Sequence, residues 1–177
     1  MKLYLVSTLL TAALLPVAMS AQDAPANPLI NSEKGVYGFV SGALLAAAEK
    51  MPEANYSFQP TPEVRTYAQL VGHVADGQYI FCSMALGVKN PTPSIEKSTT
   101  AKADLVQALK DAVAYCNKAY AGLTDAKATE MIKFLGRDAP RLTALSFNTA
   151  HSEEHYGNMV TYLRLKGIVP PTSEPRK

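Results

Sequence analysis

Two histidines, His151 and His155, stand four residues apart in the segment NTAHSEEHYGNMVTYLRLKGIVPP, residues 148–171. On a helix, residues at that spacing lie one above the other with about 5–6 Å between their Cβ atoms. Both imidazoles can then reach one metal ion, at about 2.0–2.1 Å for zinc. The chain has three histidines, and the remaining one, His73, lies in a separate helical segment. The chemistry these residues could do is metal binding inside a helix bundle, with His73, His151 and His155 as ligands. Three neutral imidazoles leave a divalent ion its full charge and an open position for a water or a thiol. An isolated pair of this spacing is more often an ordinary helix face, and Glu153 and Glu154 give this one a solvated look. Against that, Asn148, Ser152 and His155 project into the same stripe as Leu142, Leu145, Tyr156, Met159 and Leu163. A buried polar group without a partner costs about 1–3 kcal/mol, so a polar island on an apolar stripe needs a network, a metal or a pocket.

The elements that must position these residues read as four long helices. Val36, Phe39, Val40, Ala43, Leu44 and Ala47 recur at spacings of three and four and predict a first helix over about 33–51, ended by Pro52. A long Pro-containing loop to Arg65 follows, of a kind that often covers a site. Thr66-Tyr67-Ala68-Gln69 is a capping box, with Thr61-Pro62-Glu63 as a rival start. It opens a second helix over about 66–86, stopped by Gly87. His73 falls at the edge of its apolar stripe. After a loop with Pro91 and Pro93, the third helix covers about 100–122 on Leu105, Leu109, Val113, Cys116 and Tyr120. Residues 126–137 read either as a short helix or as an irregular connection. Asp138 as N-cap and Pro140 in the first turn then open a fourth helix over about 139–166. Gly167 is placed as its C-cap, with Pro170 and Pro171 beyond. Almost nothing alternates with period two, so a sheet is not expected. The fold class is all-α, a four-helix bundle.

Composition supports one domain. The 177 residues are 47% hydrophobic and 18% charged, with net charge +2 and no basic run. This argues against disorder and against a nucleic-acid partner. Lys2 followed by the apolar run Leu3–Met19, with Ala18 and Ser20 as small residues before Ala21, has the form of a secretory signal peptide over 1–21. The run is short for a membrane span, so the expectation is cleavage near Ala21 or Gln22 and no stable membrane insertion afterwards. Residues 22–32 would be a linker and 33–177 the bundle, exported to a periplasm. Cys82 and Cys116 are then in an oxidising compartment where a disulfide is allowed. Two buried free thiols are the slightly preferred reading, since a bridge requires the two helices to be neighbours. Cys82 is nine residues from His73, about 180° around the helix, and is not assigned to the metal.

The run TPEVRTYAQLVGHVADGQYIFCSMALG, followed by HSEEHYGNMVTYLRLKGIVPP, resembles the DinB family. The resemblance spans about Gly35 to Ser173, and its most specific part is the H-x3-H-Y-G segment. It implies an up-down four-helix bundle with a long crossover connection, commonly a homodimer. It also implies one ligand histidine in the second helix and a pair in the last, here His73, His151 and His155. The cofactor implied is a divalent metal ion, zinc or nickel. Some relatives in that family are transferases and isomerases dependent on small thiols. This sequence departs in carrying an export signal, whereas those thiols belong to the cytoplasm. The functional expectation is an exported metal-dependent enzyme, hydrolase or thiol-dependent transferase, acting on a small-molecule substrate. The alternative is a non-catalytic periplasmic metal-binding or stress-response protein. The carboxylates nearest the histidines in sequence, Asp76 and Glu154, are the candidates for a base or for a group that orients a histidine.

Overall fold

The computed structural model describes residues 26–92 and 94–175. Four long helices form the bundle: α1 (Pro28–Lys50), α2 (Tyr67–Leu86), α4 (Lys102–Gly122) and α6 (Leu142–Leu165). Two single-turn helices, α3 (Ile95–Ser98) and α5 (Asp125–Ala128), lie in the connections. The signal peptide expected over 1–21 lies outside the described residues.

Around the bundle, α1 and α2 each pack against α4 and α6 and so sit on opposite corners. The hydrogen bonds give the directions. Tyr37 meets Gln78 and Tyr67 meets Ala47, so α1 and α2 are antiparallel. Gln78 meets Ser152, and Tyr162 meets the Arg65 carbonyl just before α2, so α6 is also antiparallel to α2. Lys102 at the start of α4 reaches the Glu49 carbonyl at the end of α1, and Tyr120 near its end reaches the Leu145 carbonyl near the start of α6. Helix α4 therefore runs parallel to α2, and the chain over 87–101 must return along the length of the bundle. That return is the long crossover, and it carries α3.

The expected helices are present with shifted ends. Helix α1 begins at Pro28 rather than near 33, inside the stretch expected to be linker. Its orphan amides find a partner far along the chain: Asp125, 96 and 95 residues away, accepts from Leu29 and Ile30 at 3.1 and 3.0 Å, while the Asn27 side chain accepts from the Asp125 amide at 2.9 Å. The capping box on α2 is formed, with Gln69 N–H to Thr66 Oγ1 at 3.2 Å and Thr66 N–H to Gln69 Oε1 at 2.9 Å. Gly87 at φ +71 ends α2, and Gly167 at φ +71 follows α6, the left-handed conformation that glycine adopts without strain.

The expectation that Asp138 and Pro140 open the last helix is overturned. Residues 131–140 are a β-hairpin, β1 (Met131–Phe134) paired antiparallel with β2 (Arg137–Pro140). Leu135 and Gly136, at φ +47 and +83, form the two-residue turn, the positive-φ geometry that matches strand twist. The sheet is only two strands, too short for an alternating pattern to show. Helix α6 starts at Leu142, held by the Arg141 amide on the Glu130 carbonyl at 2.8 Å and by Arg141 Nη1 on the Ala85 carbonyl at 2.6 Å.

The apolar core is in two parts. One contains Leu44, Tyr67, Leu105, Met159 and Leu163; the other contains Tyr37, Cys82, Tyr120 and Leu145. Fully buried Gln78, Asn148 and Ser152 lie where these parts meet. Gln78 Oε1 accepts from Tyr37 and Asn148 at 2.9 and 3.0 Å, and its Nε2 donates to Ser152 Oγ at 2.8 Å. Cys82 and Cys116 are bridged, with Cα atoms 5.3 Å apart. This corrects the leaning towards free thiols: α2 and α4 are direct neighbours, which the sequence does not reveal.

Candidate metal centre

The antiparallel packing of α2 and α6 brings all three histidines together. His151 Nε2 is 3.2 Å from His73 Nε2 and 3.1 Å from His155 Nε2. One nitrogen from each ring lies within 4.8 Å of the others. Ligands about 2.0–2.1 Å from one tetrahedral ion are separated by about 3.3 Å, so the observed spacings fit one ion. The donor set, imidazole nitrogen throughout, suits zinc, nickel or copper better than magnesium or calcium.

Small residues make this convergence possible. A Cβ on Gly77 would lie 2.6 Å from His151 Cε1, so the His151 ring occupies the space that Gly77 leaves on α2. Phe81 packs edge-on to the same ring at 5.3 Å and joins Phe134 of the hairpin and Phe147 in one aromatic wall. Burial, reinforced by His155, His73 and Arg65, lowers the His151 pKa to about 3. Burial, then the His73 charge, lowers that of His155 to about 4, with Glu154 and Glu96 opposing. Both rings are therefore neutral at pH 7, the state in which imidazole binds metal.

The groups behind the rings set their orientation. Glu96 Oε2 is 3.1 Å from His73 Nδ1, and Glu96 Oε1 accepts from Arg65 Nε at 2.9 Å. A proton on His73 Nδ1 leaves Nε2 bare and facing the cluster. Burial raises the Glu96 pKa, but the hydrogen bonds and charges of Arg65 and His73 outweigh it and hold the carboxyl below its ordinary range. His155 Nδ1 is 3.2 Å from the Asn158 side-chain amide. Among the described residues His151 Nδ1 is buried without a partner.

The two carboxylates expected near the site take different places. Asp76 points to α3: its oxygens accept from the amides of Ile95 and Glu96 at 2.7 and 3.0 Å and from Ser94 Oγ at 3.2 Å. Glu154 lines a cavity of about 690 Å³ beside His155, together with Arg65, Glu96, Asn158 and Tyr162. Cys82, in its disulfide, is not part of the cluster. Sequence reasoning missed Glu96, Asn158, Arg65 and the role of Gly77. Asn158, three residues after His155 on the same helix, was within reach of spacing arguments; Glu96 comes from a connection and was not.

The fold and site together describe a helical bundle with three clustered histidines, one of which, His155, lines a cavity. A DinB superfamily sequence model matches residues 39–159, and the chain belongs to that superfamily. Among solved structures, it is similar to a DinB-like protein from Bacillus cereus, with TM-score 0.72 and 17% identity over 80% of this chain and 95% of that one. It is also similar to a DinB-like protein from Bacillus subtilis, with TM-score 0.66 and 21% identity over 83% and 100%. A third similar structure is a mycothiol-dependent maleylpyruvate isomerase, with TM-score 0.63 and 16% identity over 77% of this chain. The match spans 61% of the isomerase's length. No curated protein matches the chain.

Proposed function

We propose that this protein is an exported metal-dependent enzyme that holds zinc or nickel on His73, His151 and His155 and hydrolyses a small molecule bound in the adjoining cavity. The observation that carries the reading is the convergence of three imidazole nitrogens, with His155 of the cluster lining that cavity. A bound divalent ion supplies Lewis acidity with part of its coordination left to substrate or solvent. Glu96 and Asn158 hold the outer nitrogens of His73 and His155. Glu154 faces the same cavity and forms no hydrogen bond or ion pair among the described residues, so it is available to accept a proton. Arg65, fixed through Nε by Glu96, is the basic residue at the cavity.

A non-catalytic site would be closed by a fourth protein ligand. Among the described residues the cluster consists of the three histidines, which favours the enzyme. Thiol-dependent transfer, suggested by the mycothiol-dependent neighbour, is the second reading. Export favours hydrolysis over it, because an oxidising compartment does not keep thiols reduced. The Cys82–Cys116 bridge and the leader-like N-terminus support export. No described helix is long and apolar enough to cross a membrane. Pairing into a homodimer, which the family resemblance implies, belongs to the same proposal and is read by sedimentation.

The test is purification from the natural host, with elemental analysis, N-terminal mass spectrometry and a screen of small esters, amides and thiols. We expect one equivalent of metal, a start near Ala21 or Gln22, and ester or amide turnover that Glu154→Gln reduces while metal is retained. Full metal content in His155→Ala would refute the three-histidine site.

A further inference from the structure

We infer that the crossover segment is a latch for the metal centre: Asp76 docks α3 on α2 so that Glu96 can fix His73. The inference rests on the three-histidine reading and goes beyond it, because it assigns a positioning role to a connection that contributes no ligand. Three independent observations place α3. A Cβ on Gly72 would lie 2.7 Å from the Glu96 Cα and 3.0 Å from its amide nitrogen, so the two backbones touch at the residue preceding His73. Asp76, one turn beyond His73 on α2, receives the first amides of α3, from Ile95 and Glu96, and the Ser94 hydroxyl. Ile95 anchors the turn in the core at 7% exposure.

The consequence is geometric. With α3 docked, Glu96 reaches His73 Nδ1 with one oxygen and Arg65 Nε with the other, at 3.1 and 2.9 Å. Arg65 has no acceptor for a proton on His73 Nδ1; it holds the carboxylate that accepts it. A carboxylate behind a ligating histidine fixes the tautomer and the ring plane, and loss of such a partner typically lowers metal affinity about 10–100-fold. Asp76 therefore acts on His73 indirectly, through the backbone of α3 and the side chain of Glu96. Its place one turn from His73 suggests direct contact, but its hydrogen bonds lead to α3.

The experiment measures zinc affinity by competition with a chromophoric chelator, and the His73 tautomer by long-range 15N NMR of the metal-free protein. Wild type should show His73 protonated on Nδ1. Glu96→Ala should lose that preference and bind zinc at least about tenfold more weakly, with Glu96→Gln in between because its amide oxygen still accepts. Asp76→Ala should also weaken zinc binding. In the double variant Asp76→Ala/Glu96→Ala the loss should equal that of Glu96→Ala alone, since both changes remove the same contact. Gly72→Ala, which alters no polar group, should weaken binding by lifting α3. If Glu96→Ala binds zinc within twofold of wild type and keeps the tautomer, the latch does not exist. Additive losses from Asp76 and Glu96 would likewise overturn the coupling. Either result with His155→Ala still losing its metal leaves the three-histidine site standing; full metal retention in His155→Ala refutes the site itself.

Discussion

At the residue scale the cluster depends on what is missing as much as on what is present. Gly77 has a helical backbone, so an alanine there meets no conformational penalty of its own; the obstacle is the His151 ring, 2.6 Å from where its Cβ would sit. Gly77→Ala should therefore displace His151, lower zinc affinity at least about tenfold and destabilise the fold by about 1–3 kcal/mol. Zinc titration and urea unfolding check this, and unchanged affinity would show that His151 is not a ligand. The neutral state of the rings has a consequence for the metal-free protein. Folded pKa values of about 3 for His151 and about 4 for His155 lie below the ordinary imidazole value near 6.5. Between those limits the unfolded chain binds more protons, so stability falls as pH drops from about 6.5 towards 4 and is insensitive to these groups above about 7.5. Each histidine contributes a slope below the limit of about 1.4 kcal/mol per pH unit, reduced further where a ring keeps contact with solvent, as half-buried His151 does. Urea unfolding at pH 7, 6 and 5 should show the decline, and His151→Phe should make it shallower. An unchanged slope in that variant would mean that His151 takes up protons as readily folded as unfolded.

At the element scale, legibility followed the range of the interaction that decides each feature. The capping box at Thr66 and Gln69 and the glycine stops at Gly87 and Gly167 are local, and they stand where the sequence puts them. The pair His151 and His155 was legible from its shared helix face, whereas His73, at the edge of its stripe, joined it through the family resemblance. The start of α1 was not legible, since its cap is Asp125, 95 residues away. The hairpin was missed because Leu135–Gly136 is not one of the usual Asn-Gly or Asp-Gly turn pairs and each strand is four residues long. The bridge between Cys82 and Cys116 depends on which helices are neighbours, which periodicity does not encode. It closes a separation of 34 residues between α2 and α4, and chain-entropy arguments give about 3–4 kcal/mol for a loop of that size. Reduction, or the paired change Cys82→Ser/Cys116→Ser, should lower stability by about that amount in urea unfolding. A midpoint unmoved by reductant would show that the two sulfurs are not bonded in solution.

At the scale of the whole molecule, α2 is tied to both of its neighbours: to α4 by the disulfide and to α6 by the histidine cluster. The two ties lie on opposite sides of α2, nine residues apart in sequence from His73 to Cys82, and they differ in kind. The disulfide restricts the unfolded chain. A metal ion on the cluster would instead stabilise the folded state by mass action, because the unfolded chain does not assemble the three imidazoles. Free zinc at a hundredfold excess over its Kd should add about 2.7 kcal/mol, a rise of about 5–10 °C in melting temperature for a domain of this size. The shift should vanish in His73→Ala and His155→Ala. It should persist in Cys82→Ser/Cys116→Ser, since the histidines converge through α2 and α6 packing rather than through α4. Melting curves of these variants with and without zinc at pH 7.5 separate the two ties. If the zinc shift disappears when only the disulfide is removed, the position of α2 against α6 depends on α4, and the metal centre is a property of the whole bundle rather than of one helix pair.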